Sequence, residues 1–366
     1  GADWAPTDDV RLRASYQRSV RAANVLELFA PQAISLFGTS HDPCSAAAGA
    51  TRATLAQCVA TGITPAQYAI GNFDSPAGQY NNLLGGNTAL KPEIGRTLTA
   101  GIVFTPTFAP GLVASVDYFN IRINKQIGAL AGSQIFTACY TFNIAAQCAL
   151  IHRNGAGNIW TGNGFLTALN QNLGGLVTSG VDVSVAYTYS LADAGLGNWG
   201  SLNASIIGTW LESLLTIPSN GPPSYECAGF YGAAGTGVGH ESCGSPNPEW
   251  RHKARLTWDT PWHFDLTGTW RYFASVDLHG APTSSINGQL GAFLDKSFEA
   301  ISYFDLESNV HLTKRVELRV GANNILDKDP PLTSYSSISA GVNGNTFPAV
   351  YDALGRFVFA GITIDL

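Results

Sequence analysis

The feature that most constrains this chain is an alternation of apolar with polar or small residues, repeated along most of its length. Val181, Val183 and Val185, for example, alternate with Asp182 and Ser184. A period of two residues is that of a β-strand with two different faces, and the segments that carry it are each about 11 to 16 residues long. The alternation predicts an all-β chain. Its ten strands are expected, to within about 2–4 residues at each end, at 9–20, 94–105, 111–124, 176–190, 200–213, 249–259, 263–276, 299–312, 316–326 and 354–366.

The connections between these strands alternate between short and long. The short ones fall near 106–110, 191–199, 260–262 and 313–315, and the long ones near 21–93, 125–175, 214–248, 277–298 and 327–353. In an antiparallel up-and-down sheet, successive connections lie at opposite ends, so the short turns share one side and the long loops the other. Outer-membrane barrels have this asymmetry. The predicted fold is therefore an antiparallel up-and-down transmembrane β-barrel surrounded by outer-membrane lipid.

Composition agrees with strands that face lipid. Charged residues make up 13% of the chain, against about 25% in soluble proteins, and no apolar run reaches the roughly 18 residues of a membrane-spanning helix. The formal charge of −6 lacks the clustered positive charge of a nucleic-acid surface, so no nucleic-acid partner is expected. A soluble β-sandwich is the alternative fold. The positions of the aromatic residues favour the transmembrane barrel over the sandwich, because they would form one belt at each membrane interface. These residues are Trp4, Phe104, Phe108, Trp199, Trp258, Trp262 and Phe264 beside the short turns, and Tyr118, Trp210, Tyr272 and Phe304 toward the long loops.

The six cysteines fall as neighbouring pairs within long loops. Six cysteines allow 15 connectivities, and spacing alone does not choose among them. Pairing within each loop is the simplest arrangement, since each bridge would hold an irregular segment, and it implies an oxidising compartment. Metal binding is the alternative for Cys227, His240, Glu241 and Cys243, whose spacing matches no standard zinc pattern. The candidate disulfide pairs are Cys44 with Cys58, Cys139 with Cys148, and Cys227 with Cys243.

Five short motifs resemble those of TonB-dependent receptors, and they occur in the family's order. Residues 18–29 read RSVRAANVLELF, which resembles F-R-A-P-N-x-x-E-L-F with Ala23 in place of proline. Residues 87–93 read NTALKPE, similar to N-P-x-L-K-P-E with Thr88 in place of proline. The remaining three motifs are SGVDV at 179–183, NNILDKDPP at 323–331, similar to N-N-L-F-D-K-x-P-P, and YDALGRF at 351–357, similar to Y-D-x-x-G-R-x-F.

This resemblance implies a 22-stranded barrel around an N-terminal plug. Residues 1–366 would then be the C-terminal part of the barrel, about half of it, with the plug and the N-terminal strands outside this chain. Barrels of this class often end in Phe, whereas the last residue here is Leu366. Either the assembly signal tolerates Leu, or a short tail follows.

The family implies a function as well as a fold. Its members carry out outer-membrane uptake of a scarce nutrient, driven by the partner TonB acting on the plug, and a ferric siderophore is the commonest substrate class. Oligosaccharides, cobalamin and other chelates are the alternatives within the family. A passive porin, or an adhesin or enzyme built on a barrel, are alternatives outside it. We find no catalytic motif, and we expect neither enzymatic activity nor a cofactor.

Candidate ligand-binding residues lie in the loops and on the polar face. The loop aromatics Tyr225, Phe230, Tyr231 and Tyr335 are suited to stacking on a siderophore or a sugar ring, or to packing the loops together. His240 and Arg271 join them as ligand candidates, and His41, His152 and His279 are further loop histidines. The polar face would also carry cross-strand charge pairs drawn from Arg11, Arg13, Asp117, Asp182, Arg255, Arg271, Asp305, Glu307, Glu317 and Arg319.

Overall fold

The computed structural model describes residues 1–218, 224–232, 243–279, 296–333 and 345–364. Eleven long strands form one antiparallel sheet in simple sequence order, and the short strand Tyr225–Glu226 adds to it as a twelfth. The long strands are β1 (Ala2–Thr7), β2 (Val10–Arg21), β3 (Glu93–Phe104), β4 (Leu112–Asn124), β5 (Gly175–Ser190), β6 (Ser201–Ile217), β7 (Trp250–Asp259), β8 (Phe264–Phe273), β9 (Ile301–Thr313), β10 (Val316–Asn323) and β11 (Phe357–Ile364).

All ten predicted strands are confirmed, and one further strand, β1, precedes them. They lie in one sheet, which removes the sandwich alternative, and the sheet is that of a partial barrel: β1 and β11 are its two edges and do not pair with each other over the residues described. Among those residues, no helix is long and apolar enough to cross a bilayer.

Strand β10 ends three residues earlier than predicted, at Asn323. The next residue, Asn324, is fully buried and adopts a positive φ of 51°. Its carboxamide accepts from the Lys328 N–H and donates to the Lys328 carbonyl, both at 2.9 Å. Asparagine tolerates this left-handed conformation better than most residues, so the chain leaves the sheet here to begin a loop.

The register separates the sheet into an apolar face and a polar face. On the apolar face, Leu12 lies opposite Ile102 and Trp270 opposite Phe304. The opposite face carries hydroxyls and charge pairs, such as Arg13 with Asp117. An aromatic group covers the short-turn end of the sheet, where the rings of Trp199 and Trp258 both pack edge-on against Trp262.

The long connections form two packed clusters at the other end of the sheet. The first loop cluster consists of residues 22–92 and 125–174, and its core contains Phe73, Tyr80 and Ile135. The second loop cluster consists of the described parts of 218–249, 274–300 and 324–356.

The first loop cluster contains every helix of the described chain. These are α1 (Val25–Phe29), α2 (Leu55–Ala60), α3 (Pro65–Ile70), α4 (Gly132–Phe136), α5 (Ala145–Cys148), the 3-10 helix Ala46–Thr51 and the π-helical turn Thr137–Thr141. Its short strands are Ala33–Gly38, Gln79–Leu84, Ile127–Gly128, Ile151–His152, Phe165–Thr167 and Gln171–Asn172, and those of the second cluster, besides Tyr225–Glu226, are Phe230–Tyr231, Val276–Leu278 and Ser297–Phe298.

Candidate functional site

Arg271 projects from the loop end of β8 on the polar face. Its Nε and Nη2 donate to Asp305 at 2.8 and 2.9 Å, and its Nη1 and Nη2 donate to Asp352 at 2.8 and 2.6 Å. The guanidinium also lies 5.1 Å from the centre of the Tyr303 ring. Arg271, a predicted ligand-binding residue, therefore already binds two carboxylates of the protein. We call Arg271, Asp305 and Asp352 the Arg271 clamp, and it connects the loop that carries Asp352 to the sheet.

A cavity of about 530 Å³ opens beside the Arg271 clamp on the polar face. Its lining combines Lys253 from β7, Asn323 from β10 and Phe357 from β11 with Tyr351 and Asp352 of the second loop cluster. A volume of this size matches a small-molecule site, which commonly measures about 300–1,000 Å³. Sheet and loops thus meet around a pocket that combines aromatic surface with charge.

Strand β7 supplies the free positive charge of this face. Arg251, Lys253 and Arg255 occur at every second position and are exposed on the polar face. We call them the β7 cations. No hydrogen bond or ion pair engages any of them over the described parts of the chain. Of these three, only Arg255 was predicted for the polar face, although the alternation in this strand places all three together.

Other arginines of the polar face are neutralised. Arg11 pairs with Asp3 at 2.7 Å, Arg13 with Asp117, and Arg319 with Glu307 at 2.6 Å. The pairs of Arg13 and Arg319 join residues predicted for this face, whereas Asp3, the partner of Arg11, was not predicted. The β7 cations differ from these arginines because they have no such partner in the described structure.

The predicted loop aromatics have different surroundings. Tyr231 is fully buried and stacks on Phe298 with ring centres 4.2 Å apart, so its ring is part of the core of the second loop cluster. Tyr225 and Phe230 are half-buried, and their ring centres lie 5.3 and 5.6 Å from that of His279. His240 and Tyr335 fall outside the described residues.

Glu226 organises the start of the second loop cluster. Its carboxylate accepts from the Ser213 hydroxyl at 2.6 Å, from the backbone N–H groups of Cys227 and Ala228 at 2.9 Å, and from that of Leu214. Burial raises the pKa of Glu226, but these hydrogen bonds lower it, and the balance leaves the pKa below its ordinary value. The ionised carboxylate therefore fixes the turn that leads to Phe230.

The first loop cluster is built around a buried ion pair. Arg153 donates to both carboxylate oxygens of Asp42 at 2.8 and 2.9 Å, and the two side chains are 1% and 0% exposed. The same guanidinium donates to the Tyr140 hydroxyl at 2.9 Å and to Thr61 Oγ1 at 3.1 Å. Burial raises the pKa of Tyr140, and burial also raises that of nearby Tyr80 to about 12. These groups support the cluster from inside and do not face a ligand.

All three predicted disulfides form within their loops. Cys44 pairs with Cys58 and Cys139 with Cys148 in the first loop cluster, and Cys227 pairs with Cys243 in the second. Because disulfide sulfurs are not thiolates, they are not ligands for zinc. The metal alternative for Cys227 and Cys243 is therefore wrong.

The loop histidines have protein partners. His41 Nδ1 lies 2.8 Å from Asp74, and His152 Nε2 lies 2.8 Å from Thr167 Oγ1. No group of three or more potential metal-ligating side chains occurs in the described ranges. The described structure thus offers, on the polar face, a pocket that combines aromatic side chains with the Arg271 clamp and one unpaired cation, Lys253.

A family model described as "TonB dependent receptor-like, beta-barrel" matches residues 1–325. A search of curated proteins found no match. Among solved structures, a mutant ferric enterobactin receptor (PfeA) from Pseudomonas aeruginosa aligns with a TM-score of 0.58 and 17% identity, over 100% of this chain and 39% of that one. The siderophore receptor PirA from Acinetobacter baumannii aligns with a TM-score of 0.54 and 14% identity, over 100% of this chain and 40% of that one. These likenesses show a shared fold, and this chain spans about two fifths of those receptors.

Proposed function

This chain belongs to the TonB-dependent receptor β-barrel family, and from that premise we propose that it forms part of the wall of a bacterial outer-membrane receptor for an anionic metal chelate. A ferric siderophore is the favoured substrate class. The polar face would line the lumen, and the chain would be the C-terminal part of the barrel. The plug and its contact with TonB would belong to the rest of the protein.

The β7 cations carry this proposal. Three exposed cations on the loop half of one strand form a patch of unneutralised positive charge, with Lys253 lining the cavity. A local patch with one sign of charge attracts ligands of the opposite sign and speeds their association. Ferric catecholates and ferric hydroxycarboxylates are anionic. The aromatic rings of a catecholate can also stack on the aromatic side chains that line the cavity. Neutral cobalamin or an oligosaccharide would gain little from these cations.

The test uses the full-length receptor purified in detergent. We expect a ferric tris-catecholate to bind through the β7 cations, and the triple variant Arg251→Gln/Lys253→Gln/Arg255→Gln to weaken binding by about tenfold or more. Affinity in the wild type should fall as salt is raised, and this dependence should be reduced in the variant. Arg11→Gln is the matched control because this arginine lies at the short-turn end and pairs with Asp3.

A second assay follows uptake of the radioactive iron chelate by cells. Uptake should require the TonB protein, whereas diffusion through a passive porin would continue without it. Unchanged affinity in the triple variant, or tighter binding of a neutral sugar or cobalamin than of any anionic chelate, would remove the proposed substrate class.

A further inference from the structure

Three arginines form a row across neighbouring strands on the apolar face. Arg18 of β2 lies directly opposite Arg96 of β3, which lies directly opposite Arg122 of β4. Adjacent strands are about 4.8 Å apart, so the row spans roughly 10 Å. All three side chains are exposed. We call this set the arginine row.

The arginine row has no counter-charge in the described structure. None of its members takes part in a hydrogen bond or an ion pair with any residue that the structure describes. Like charges placed directly opposite each other on neighbouring strands repel and destabilise a sheet. Nearby Arg21, which faces the other side of the sheet, pairs with both Glu27 and Glu93. The arginine row thus lacks the compensation given to its neighbour, and an external anion would supply it.

The position of the arginine row marks a boundary on the sheet. β2 ends at Arg21, β3 begins at Glu93 and β4 ends at Asn124, so each member lies two or three residues from the loop end. Toward the short turns, the same face presents Tyr16, which is 61% exposed, and Leu98, which is 49% exposed. Arginine is costly at the middle of a bilayer and tolerated near its interface. In a membrane, the arginine row would therefore lie at the depth of the lipid headgroups. The exposed apolar residues beside it, toward the short turns, would contact the acyl chains.

We propose that the arginine row binds the phosphate groups of an anionic membrane lipid whose acyl chains lie along the apolar face. This inference rests on the outer-membrane location given under the proposed function. Guanidinium groups bind phosphate through paired, charge-assisted hydrogen bonds. Three of them across roughly 10 Å suit a headgroup with two phosphates better than one with a single phosphate.

The experiment measures lipid binding to the full-length receptor in non-ionic detergent by native mass spectrometry. The probes are diphosphoryl lipid A, monophosphoryl lipid A, phosphatidylethanolamine and inorganic pyrophosphate. We expect diphosphoryl lipid A to bind most tightly, and Arg18→Gln/Arg96→Gln/Arg122→Gln to weaken that binding on the order of a hundredfold. The variant Arg251→Gln/Lys253→Gln/Arg255→Gln removes the same charge from the polar face and should bind lipid like the wild type.

Two results would overturn the inference. One is wild-type lipid affinity in the arginine-row variant, and the other is equal competition by inorganic pyrophosphate, which would mean a phosphate site without lipid selectivity. If the triple variant fails to fold, as judged by heat-dependent gel mobility, Arg96→Gln alone replaces it with an expected loss of about tenfold. Chelate binding is measured on the same samples. Loss of lipid binding with intact chelate binding supports this inference, whereas loss of chelate binding in the polar-face variant concerns the proposed function alone.

Discussion

The two loop clusters are held together by different forces. The first loop cluster has its own core, two disulfides and a fully buried ion pair between Asp42 and Arg153. The second loop cluster instead extends the wall of the sheet, since Ile301 and Tyr303 of β9 belong to its core. Its main ion pairs, those of Arg271, are partly exposed. The first loop cluster therefore has a hydrophobic core of its own, and the second shares core residues with the sheet beside the cavity.

The largest expected effect is in the first loop cluster. Arg153→Met leaves the Asp42 carboxylate buried without its partner, which typically costs about 3–5 kcal/mol. Native-state hydrogen exchange should show this loss as easier opening of the segments around 42–61 and 135–157. Arg271→Met in the second loop cluster should open it less, because water reaches Asp305 and Asp352. Equal effects of the two substitutions would contradict the distinction between the clusters.

A double variant separates the cost of an unpaired charge from the value of the pair. Asp42→Asn/Arg153→Met removes both charges, and we expect it to recover more than half of the stability lost in Arg153→Met. A double variant as unstable as the single one would show that the pair itself stabilises the cluster.

Disulfide removal should also affect the two clusters unequally. Cys44→Ala/Cys58→Ala opens a loop with a sequence separation of 14, for which chain entropy alone gives about 3 kcal/mol. Both sulfurs also lie in the core of the first loop cluster, so a packing loss is added. Cys227→Ala/Cys243→Ala has a similar separation of 16, but neither sulfur belongs to the core of the second loop cluster. We therefore expect a smaller loss, seen at the described residues beside the bridge, 225–232 and 243–247. Hydrogen exchange after each double substitution measures both, and a larger loss in the second cluster would reverse the comparison.

Two Tyr→Phe substitutions, one in each loop cluster, compare the effect of removing a single hydroxyl group. Tyr140→Phe removes an acceptor of Arg153 and a partner of Thr61, and should cost about 1–3 kcal/mol. The Tyr351 hydroxyl is buried without a hydrogen-bond partner in the described structure, so Tyr351→Phe should be neutral or stabilising. Thermal unfolding of the two variants distinguishes these outcomes. Destabilisation by Tyr351→Phe would indicate a partner for that hydroxyl.

The smallest expected effect is a dependence on pH. Because the pKa of Glu226 is lower in the folded state than the ordinary 4.5, its contribution to stability is present above that value and is lost as the pH falls through the folded pKa. Exchange at the amides of Cys227 and Ala228, corrected for intrinsic rates, should therefore accelerate in acid.

A variant and a second carboxyl localise this acid response. Glu226→Gln should abolish it at those two amides only. In the first loop cluster, burial raises the pKa of Asp74, but hydrogen bonds from His41 and the Asp42 N–H lower it below its ordinary value. Its acid response should therefore survive Glu226→Gln and be lost in Asp74→Asn. A response that persists at Cys227 in Glu226→Gln would assign it to another group.

Local patterns in the sequence predicted the sheet and the disulfides. Alternation specifies a strand without reference to the rest of the chain, and each disulfide joins cysteines within one loop. Strand ends were less predictable: β10 ends early because Asn324 makes hydrogen bonds that depend on the loop beyond it. The local part of the fold is therefore readable, to within a few residues at each end.

Non-local contacts limited the prediction of the site. Arg271 and Asp352 are 81 residues apart, and Asp42 and Arg153 are 111 apart. Neither pairing leaves a signal in the sequence near either residue. The β7 cations are visible as a pattern, but their lack of partners depends on the register of β6 and β8. Tyr231 shows the same limit, because an aromatic loop residue has the same sequence signature whether it binds a ligand or packs a core.

The three disulfides have a consequence for the order of assembly. Their sequence separations are 14, 9 and 16, and none joins two different loops. Short segments of this kind close on timescales far shorter than those of long-range strand pairing. An oxidising enzyme can therefore join each pair while the chain is still unfolded, and no bridge constrains which strand pairs first. Chain oxidation and strand pairing are, for this sheet, separable steps.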